Sequence, residues 1–123
     1  MAIVCIFTED GEEYLTDLIN GDDAIPADYY IHWGTGGTEA AKANTAMEAA
    51  GTESREAAVL TQPTASVSQW VATMTCNATG KSIQEFGVFD ASTAGIMIIR
   101  KNITSVAVEE DDTMEITVTL EIT

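Results

Sequence analysis

Hydrophobic and polar residues alternate most cleanly at the end of the chain, where Met114, Ile116, Val118, Leu120 and Ile122 interleave with Glu115, Thr117, Thr119 and Glu121. A period of two puts one set on a dry face and the other in water, which is a strand. Just upstream, residues 83–91 and 96–100 are apolar-rich runs joined by Ser92-Thr93-Ala94-Gly95, the pattern of two strands and a tight turn. Phe86, Val88 and Phe89 are packing residues on this reading. Val106 and Val108 mark a further strand after Arg100-Lys101-Asn102, and Glu109-Glu110-Asp111-Asp112 turns into the last one. The block from Ile83 to Ile122 is the best-defined part of the sequence, and it is scaffold.

The same period appears earlier. Trp70, Ala72, Met74 and Cys76 alternate with Val71, Thr73, Thr75 and Asn77, and Asn77-Ala78-Thr79-Gly80 then turns the chain. Tyr29-Tyr30-Ile31-His32-Trp33 is an aromatic, β-branched strand stopped by Gly34-Thr35-Gly36-Gly37. Residues 55–59 begin another strand, which Gln62-Pro63 interrupts. At the N-terminus, residues 2–7 read as a short strand followed by an acidic turn at Thr8-Glu9-Asp10-Gly11. Tyr14, Leu15, Leu18 and Ile19 then share one helical face, with Asn20-Gly21 as a stop. Pro26 marks residues 22–28 as a linker. The alanine-rich stretch 38–51 has helical propensity with Thr38 as a cap, but its apolar stripe is weak, and a long loop or arm fits equally.

Six to eight strands with one or two short helices, and turns every 8–12 residues or so, predict an all-β fold: an antiparallel β-sandwich or barrel, jelly-roll-like. A length of 123 residues fits one domain, with residues 1–28 as an acidic N-terminal strand and helix extension and residues 29–123 as the β-sandwich core.

Charge narrows the function. Twenty acidic residues against five basic ones give a net charge of −15, which repels nucleic-acid phosphates and anionic lipid alike. Neither a nucleic acid nor a membrane is an expected partner. Copies of the chain also repel one another, so a homo-oligomer needs compensating apolar contact or bound cations. No apolar run is long enough to cross a bilayer, and residues 2–7 do not make a secretory signal.

Candidate chemistry is sparse. His32, the single histidine, sits inside a strand with no marked nucleophile beside it. Gly34-Thr35-Gly36-Gly37 lacks the spacing of a phosphate-binding loop. Neither Glu9-Asp10-Gly11-Glu12-Glu13 nor Glu109-Glu110-Asp111-Asp112 follows the ligand order of a calcium loop, although carboxylate oxygens suit that ion. Asn77-Ala78-Thr79 and Asn102-Ile103-Thr104 match the glycosylation acceptor pattern, an accidental match in a chain without a secretory signal. Cys5 and Cys76 read as small buried hydrophobes, and whether they pair stays open. The expectation is a protein with no catalytic residues, no cofactor and no metal.

Residues 30–36, Tyr-Ile-His-Trp-Gly-Thr-Gly, are followed by a threonine- and alanine-rich stretch with Glu53 and Arg55. Glu85-Phe86-Gly87-Val88-Phe89-Asp90-Ala91 comes later, with Met97 and Arg100 downstream. Together these resemble small structural surface proteins of tailed bacteriophages, both capsid decoration or cement proteins and parts of tail fibres. The likeness runs from about residue 14 to the end; the acidic residues 1–13 fall outside it. The resemblance implies a non-enzymatic virion protein, made in the host cytoplasm. Its leading form is a capsid decoration protein, a trimer bound to the major capsid protein on the outer surface of the shell, which it stabilises. Its alternative is a tail fibre or tail-tip component with a receptor-binding role. Candidate interface anchors are Tyr29, Tyr30, Trp33 and Trp70, for which ordinary core packing is the stronger reading.

Overall fold

The structure is a computed structural model that describes residues 2–4 and 6–122, with side chains from Ile6 onward. Among these residues are eight strands and one helix: β1 (Ala2–Val4), β2 (Ile6–Phe7), α1 (Glu9–Asn20), β3 (Tyr29–Gly34), β4 (Glu56–Thr64), β5 (Val67–Thr75), β6 (Lys81–Phe89), β7 (Met97–Val108) and β8 (Thr113–Glu121). They form an all-β fold, as the alternation predicts. The strand order is β1-β8-β5-β4-β3-β6-β7-β2, antiparallel throughout except for the parallel β1–β8 pair.

Two features curl this sheet. β1 and β2 are its two end strands, yet a single residue separates them in the chain, so the N-terminal segment joins one edge to the other. β4 does the same at the opposite corner. Its first residues, Glu56–Ala58, pair with β3, whereas Val59 onward pairs with β5. Strands that change sheets in this way are how a β-sandwich turns its corners. The N-terminal residues thus form part of the sheet and its covering.

The core lies between the two halves. Ile31 and Trp33 on β3 pair with Val88 and Phe86 on β6, and Val88 pairs in turn with Ile99 on β7. Trp70, Ala72 and Met74 of β5 and Ile116 and Val118 of β8 close it from the other side. The buried set on β5 and β8 is the alternating one read from the sequence. Ile122, the last member of that series, is exposed.

Several expectations change at the periphery. The helix begins inside the supposed acidic turn, because Thr8 caps it: its Oγ1 accepts from Gly11 N at 2.9 Å and donates to Met97 O at 2.6 Å. The helix therefore docks through Thr8, Gly11, Tyr14 and Leu18, while Leu15 and Ile19 of the expected dry face are exposed. A Cβ on Gly11 would lie 2.2 Å from Ile98 O, so glycine permits this close seat on β7. The C-terminal stop is as read, with Gly21 left-handed at φ 78°. β4 runs through Pro63 instead of ending before it, with a register shift between Thr61 and Thr64. A proline is tolerated there because that length of β4 is an edge. The two strands expected around Arg100 and Val106 are one 12-residue strand, β7. Residues 35–55 hold no helix, and Thr38 caps none: its N–H and hydroxyl both bond the Glu48 carboxylate.

Candidate functional site

The long 35–55 loop needs an account, since segments of this length without secondary structure rarely stay ordered unsupported. It lies on the outer face of β3, β6 and β7, and the registers show what it covers. Gly34 pairs with Glu85, His32 with Gly87 and Tyr30 with Phe89, while Arg100 pairs with Gly87 and Asn102 with Glu85. Two charged side chains therefore stand among small and aromatic neighbours on a face that the loop shuts off from water.

Glu85 and Arg100 are 0% and 2% exposed and form an ion pair, with Nε and Nη2 donating to Glu85 Oε2 at 3.0 and 2.5 Å. Their remaining capacity is spent on the loop. Glu85 accepts from the backbone N–H groups of Ala49 at 2.8 Å and Glu48 at 3.2 Å. Arg100 donates to Thr38 O and Asn44 Oδ1, both at 3.0 Å. A buried ion pair persists only when such bonds satisfy its other lone pairs and protons. Gly34 makes room for this arrangement: a Cβ there would lie 2.4 Å from Ala49 O and 2.5 Å from Glu85 Oε1.

The other bases repeat the theme. Arg55 lies over the Phe89 ring at 3.5 Å and donates through Nη1 to Ala91 O at 2.8 Å and Ala94 O at 2.7 Å. That ties the end of the loop to the β6–β7 turn, where Ala94 and Gly95 are both left-handed at φ 50° and 70°. Lys81 donates to both oxygens of Glu53 at 2.9 and 2.8 Å. Burial alone would raise the Glu53 carboxyl, but the bonds from Lys81 and from backbone N–H groups, that of Asn77 among them, outweigh it and hold the pKa at about 2. Lys42 pairs with Glu12 of α1. Of the five basic residues, Lys101 alone takes no part in holding this loop.

A groove remains between the loop and the β6–β7 turn. Two adjoining depressions of about 440 and 240 Å³ share His32, Ala50, Arg55 and Ala94, and Ser92 and Thr93 line the larger. His32 is 7% exposed and donates from Nε2 to Glu53 O at 2.8 Å. Burial lowers its pKa, as does the Arg55 charge, so the ring is neutral at neutral pH. Its donor serves a main-chain carbonyl. The groove offers hydroxyls, a guanidinium plane and alanine surface; these are the means to hold a polar ligand by shape.

The four candidate anchors divide. Trp33, at 0% exposed, and Trp70, at 6%, are core residues. Tyr29 is half-buried, set edge-on to Trp70 with centroids 6.0 Å apart, and its hydroxyl lies 3.4 Å from that of Tyr14. Tyr30 is half-buried on the outer face, so only the tyrosines have surface to present. Cys76 is a buried free thiol 2.9 Å from Ala78 O, and Cys5 lies outside the described residues. Among the described residues no group of three or more histidine, cysteine, aspartate or glutamate side chains is placed to hold a metal ion. No helix of the described residues is long and apolar enough to span a membrane. The ion pair at Glu85 and Arg100 is what sequence reading missed. Its signal is present as two charges standing inside otherwise apolar runs.

The structural parts thus coincide with the motifs: Gly34, Glu53, Arg55, Glu85 and Arg100 meet at the loop and its anchors, while Trp33, Phe86 and Val88 of the same motifs fill the core beneath. No curated protein matches the chain. The family model described as podophage GP4 fiber I protein gp80 matches residues 10–122. That match spans nearly the whole chain, which therefore belongs to the podophage GP4 fiber I protein gp80 family and is, as the motifs implied, a small structural surface protein of tailed bacteriophages.

Proposed function

We propose that the chain is a structural component of a tail-associated virion fibre and acts by presenting surfaces, with no chemistry of its own. The observation that carries this reading is the family match over residues 10–122, whose description is a podophage fibre protein. The architecture supports it. Four of the five cations are used to fasten a loop, and the one histidine is neutral and bound to a carbonyl. On this reading the groove between the loop and the β6–β7 turn is the surface offered to a host receptor.

Location on the particle is the test. Immunogold labelling of intact virions, with absolute peptide quantification by mass spectrometry, is expected to place the protein on the tail at a copy number matching the tail's symmetry. Labelling spread over the shell, at a copy number commensurate with its capsomers, would overturn the fibre reading in favour of a capsid decoration protein bound to the major capsid protein.

A further inference from the structure

The acidic charge is not evenly spread. Residues 57–80, which contain most of β4, the β4–β5 turn and all of β5, carry no aspartate, glutamate, lysine, arginine or histidine, in a chain where 20% of residues are charged. Within that window β4 is bare. Beyond Ala58, where its pairing with β3 ends, β4 is paired only with β5, and no strand among the described residues lies along its other side. Val59 is 66% exposed and Leu60 49%, adjacent residues that lie on opposite faces of the strand. An open strand edge with exposed apolar side chains and no charge is a template for another strand. Proteins that keep such an edge single guard it with charge, a proline or a bulge; here residues 57–64 carry no charge, and the proline and the register shift are confined to residues 61–64, leaving Val59 and Leu60 unguarded.

Other exposed apolar residues lack this setting. Ile19 and Ile25 stand among Asp17, Asp22, Asp23 and Asp28, and Ile122 follows Glu121. A second molecule with a net charge of −15 would bring carboxylates against carboxylates at any of them. Among the described residues, the β4 edge alone joins exposed apolar side chains to an uncharged stretch, so that two copies can meet there without that cost. The partner it fits is therefore a strand equally free of charge, and this chain possesses one in β4 itself.

We infer that two copies of this chain join through their β4 edges, antiparallel about a twofold axis at Leu60, so that the two sheets continue across the contact. The direction follows from symmetry: a twofold axis crossing the strands at Leu60 pairs them antiparallel, with Val59 against Thr61 and Leu60 against its own counterpart, while Glu56–Ala58 stay paired with β3. β3, which already holds Glu56–Ala58, limits the ladder on one side and Pro63, which has no N–H, on the other, so that it spans residues 59–61. A twofold contact is self-complementary, as one uncharged patch meeting its own copy requires. The inference is independent of where on the virion the protein sits.

The test uses the whole chain. Native mass spectrometry and analytical ultracentrifugation are expected to show a dimer that tightens with added salt, which screens the remaining acidic repulsion. Leu60→Lys and Leu60→Glu should each weaken it by more than about tenfold, since like charges then face each other at the axis. Mixing the two variants should restore a heterodimer, which a folding defect would not allow. Ile19→Lys, on the exposed side of α1, should leave the dimer intact. A wild-type monomer overturns the inference, and so does a trimer, the assembly that the motif resemblance implies. A dimer indifferent to both Leu60 variants, or a mixture that fails to pair, overturns it equally.

Discussion

The outer face of β3, β6 and β7 and the free edge of β4 belong to one sheet, and the chain finishes them in opposite ways. The first carries a buried ion pair, a neutral histidine and an aromatic ring under a guanidinium, all roofed by residues 35–55. The second has no charge and no roof, and its apolar side chains face solvent. Satisfied polar groups fix a covering that belongs to the same chain. Unsatisfied backbone groups and bare apolar area leave a place for another chain. The difference separates what the fold does for itself from what it offers to an assembly.

Removing one half of the ion pair should have the largest effect. Glu85→Gln or Arg100→Met leaves the other charge buried without its partner, at a cost of about 3–5 kcal/mol, or roughly 12–20 °C in melting temperature for a domain this size. Limited proteolysis should then cut within residues 35–55, and hydrogen exchange at the Glu48 and Ala49 amides should accelerate, because Glu85 is their acceptor. The double variant Glu85→Leu/Arg100→Met should recover part of the loss in melting temperature while the loop stays open to protease. If both singles melt like the wild type, the roof is held by something else and the contrast between the two regions fails.

A smaller, pH-dependent effect belongs to Glu53. Its folded pKa is about 2 against 4.5 for an unperturbed glutamate. A depressed carboxyl contributes stability that is complete above its unfolded value and is lost as the pH falls through its folded one. At neutral pH Glu53→Gln should therefore cost about 2 kcal/mol, less than the full linkage value because Lys81 keeps some access to water. The difference in melting temperature between the two proteins should shrink from pH 5 toward pH 2. A difference that stays constant across that range would mean that the contribution is not electrostatic.

The strands were legible because their alternation is a property of the strand alone. Met114 through Leu120 and Trp70 through Cys76 needed no partner to declare which side is dry. The roofed face was not legible, for a physical reason. Glu85 and Arg100 are adjacent only because a bulge and the β6–β7 register bring them together across 15 residues. Their loop partners come from another 36 to 62 residues away. The 38–51 stretch has alanine's helical propensity but only a weak apolar stripe, so tertiary hydrogen bonds decide it. Leu15 and Ile19 face solvent, against the expectation from their spacing, because Thr8 and Gly11, neither of them a large apolar residue, set the helix against β7. The bare edge of β4 was half legible: its lack of charge is in the sequence, but its missing neighbour is a fact of topology.

The smallest expected effect is the one that separates the two regions most sharply. Because Leu60 is already half in water, Leu60→Lys should change the stability of the isolated subunit by no more than about 0.5 kcal/mol. Measured by denaturant unfolding at concentrations low enough to populate the monomer, its midpoint should match that of the wild type even though self-association is lost. At high concentration the wild type alone should gain stability, because a partner that binds only the folded state adds its binding free energy to the unfolding equilibrium. If Leu60→Lys unfolds as readily as Glu85→Gln, then Leu60 belongs to the core of its own subunit and the β4 edge is not a surface held in reserve.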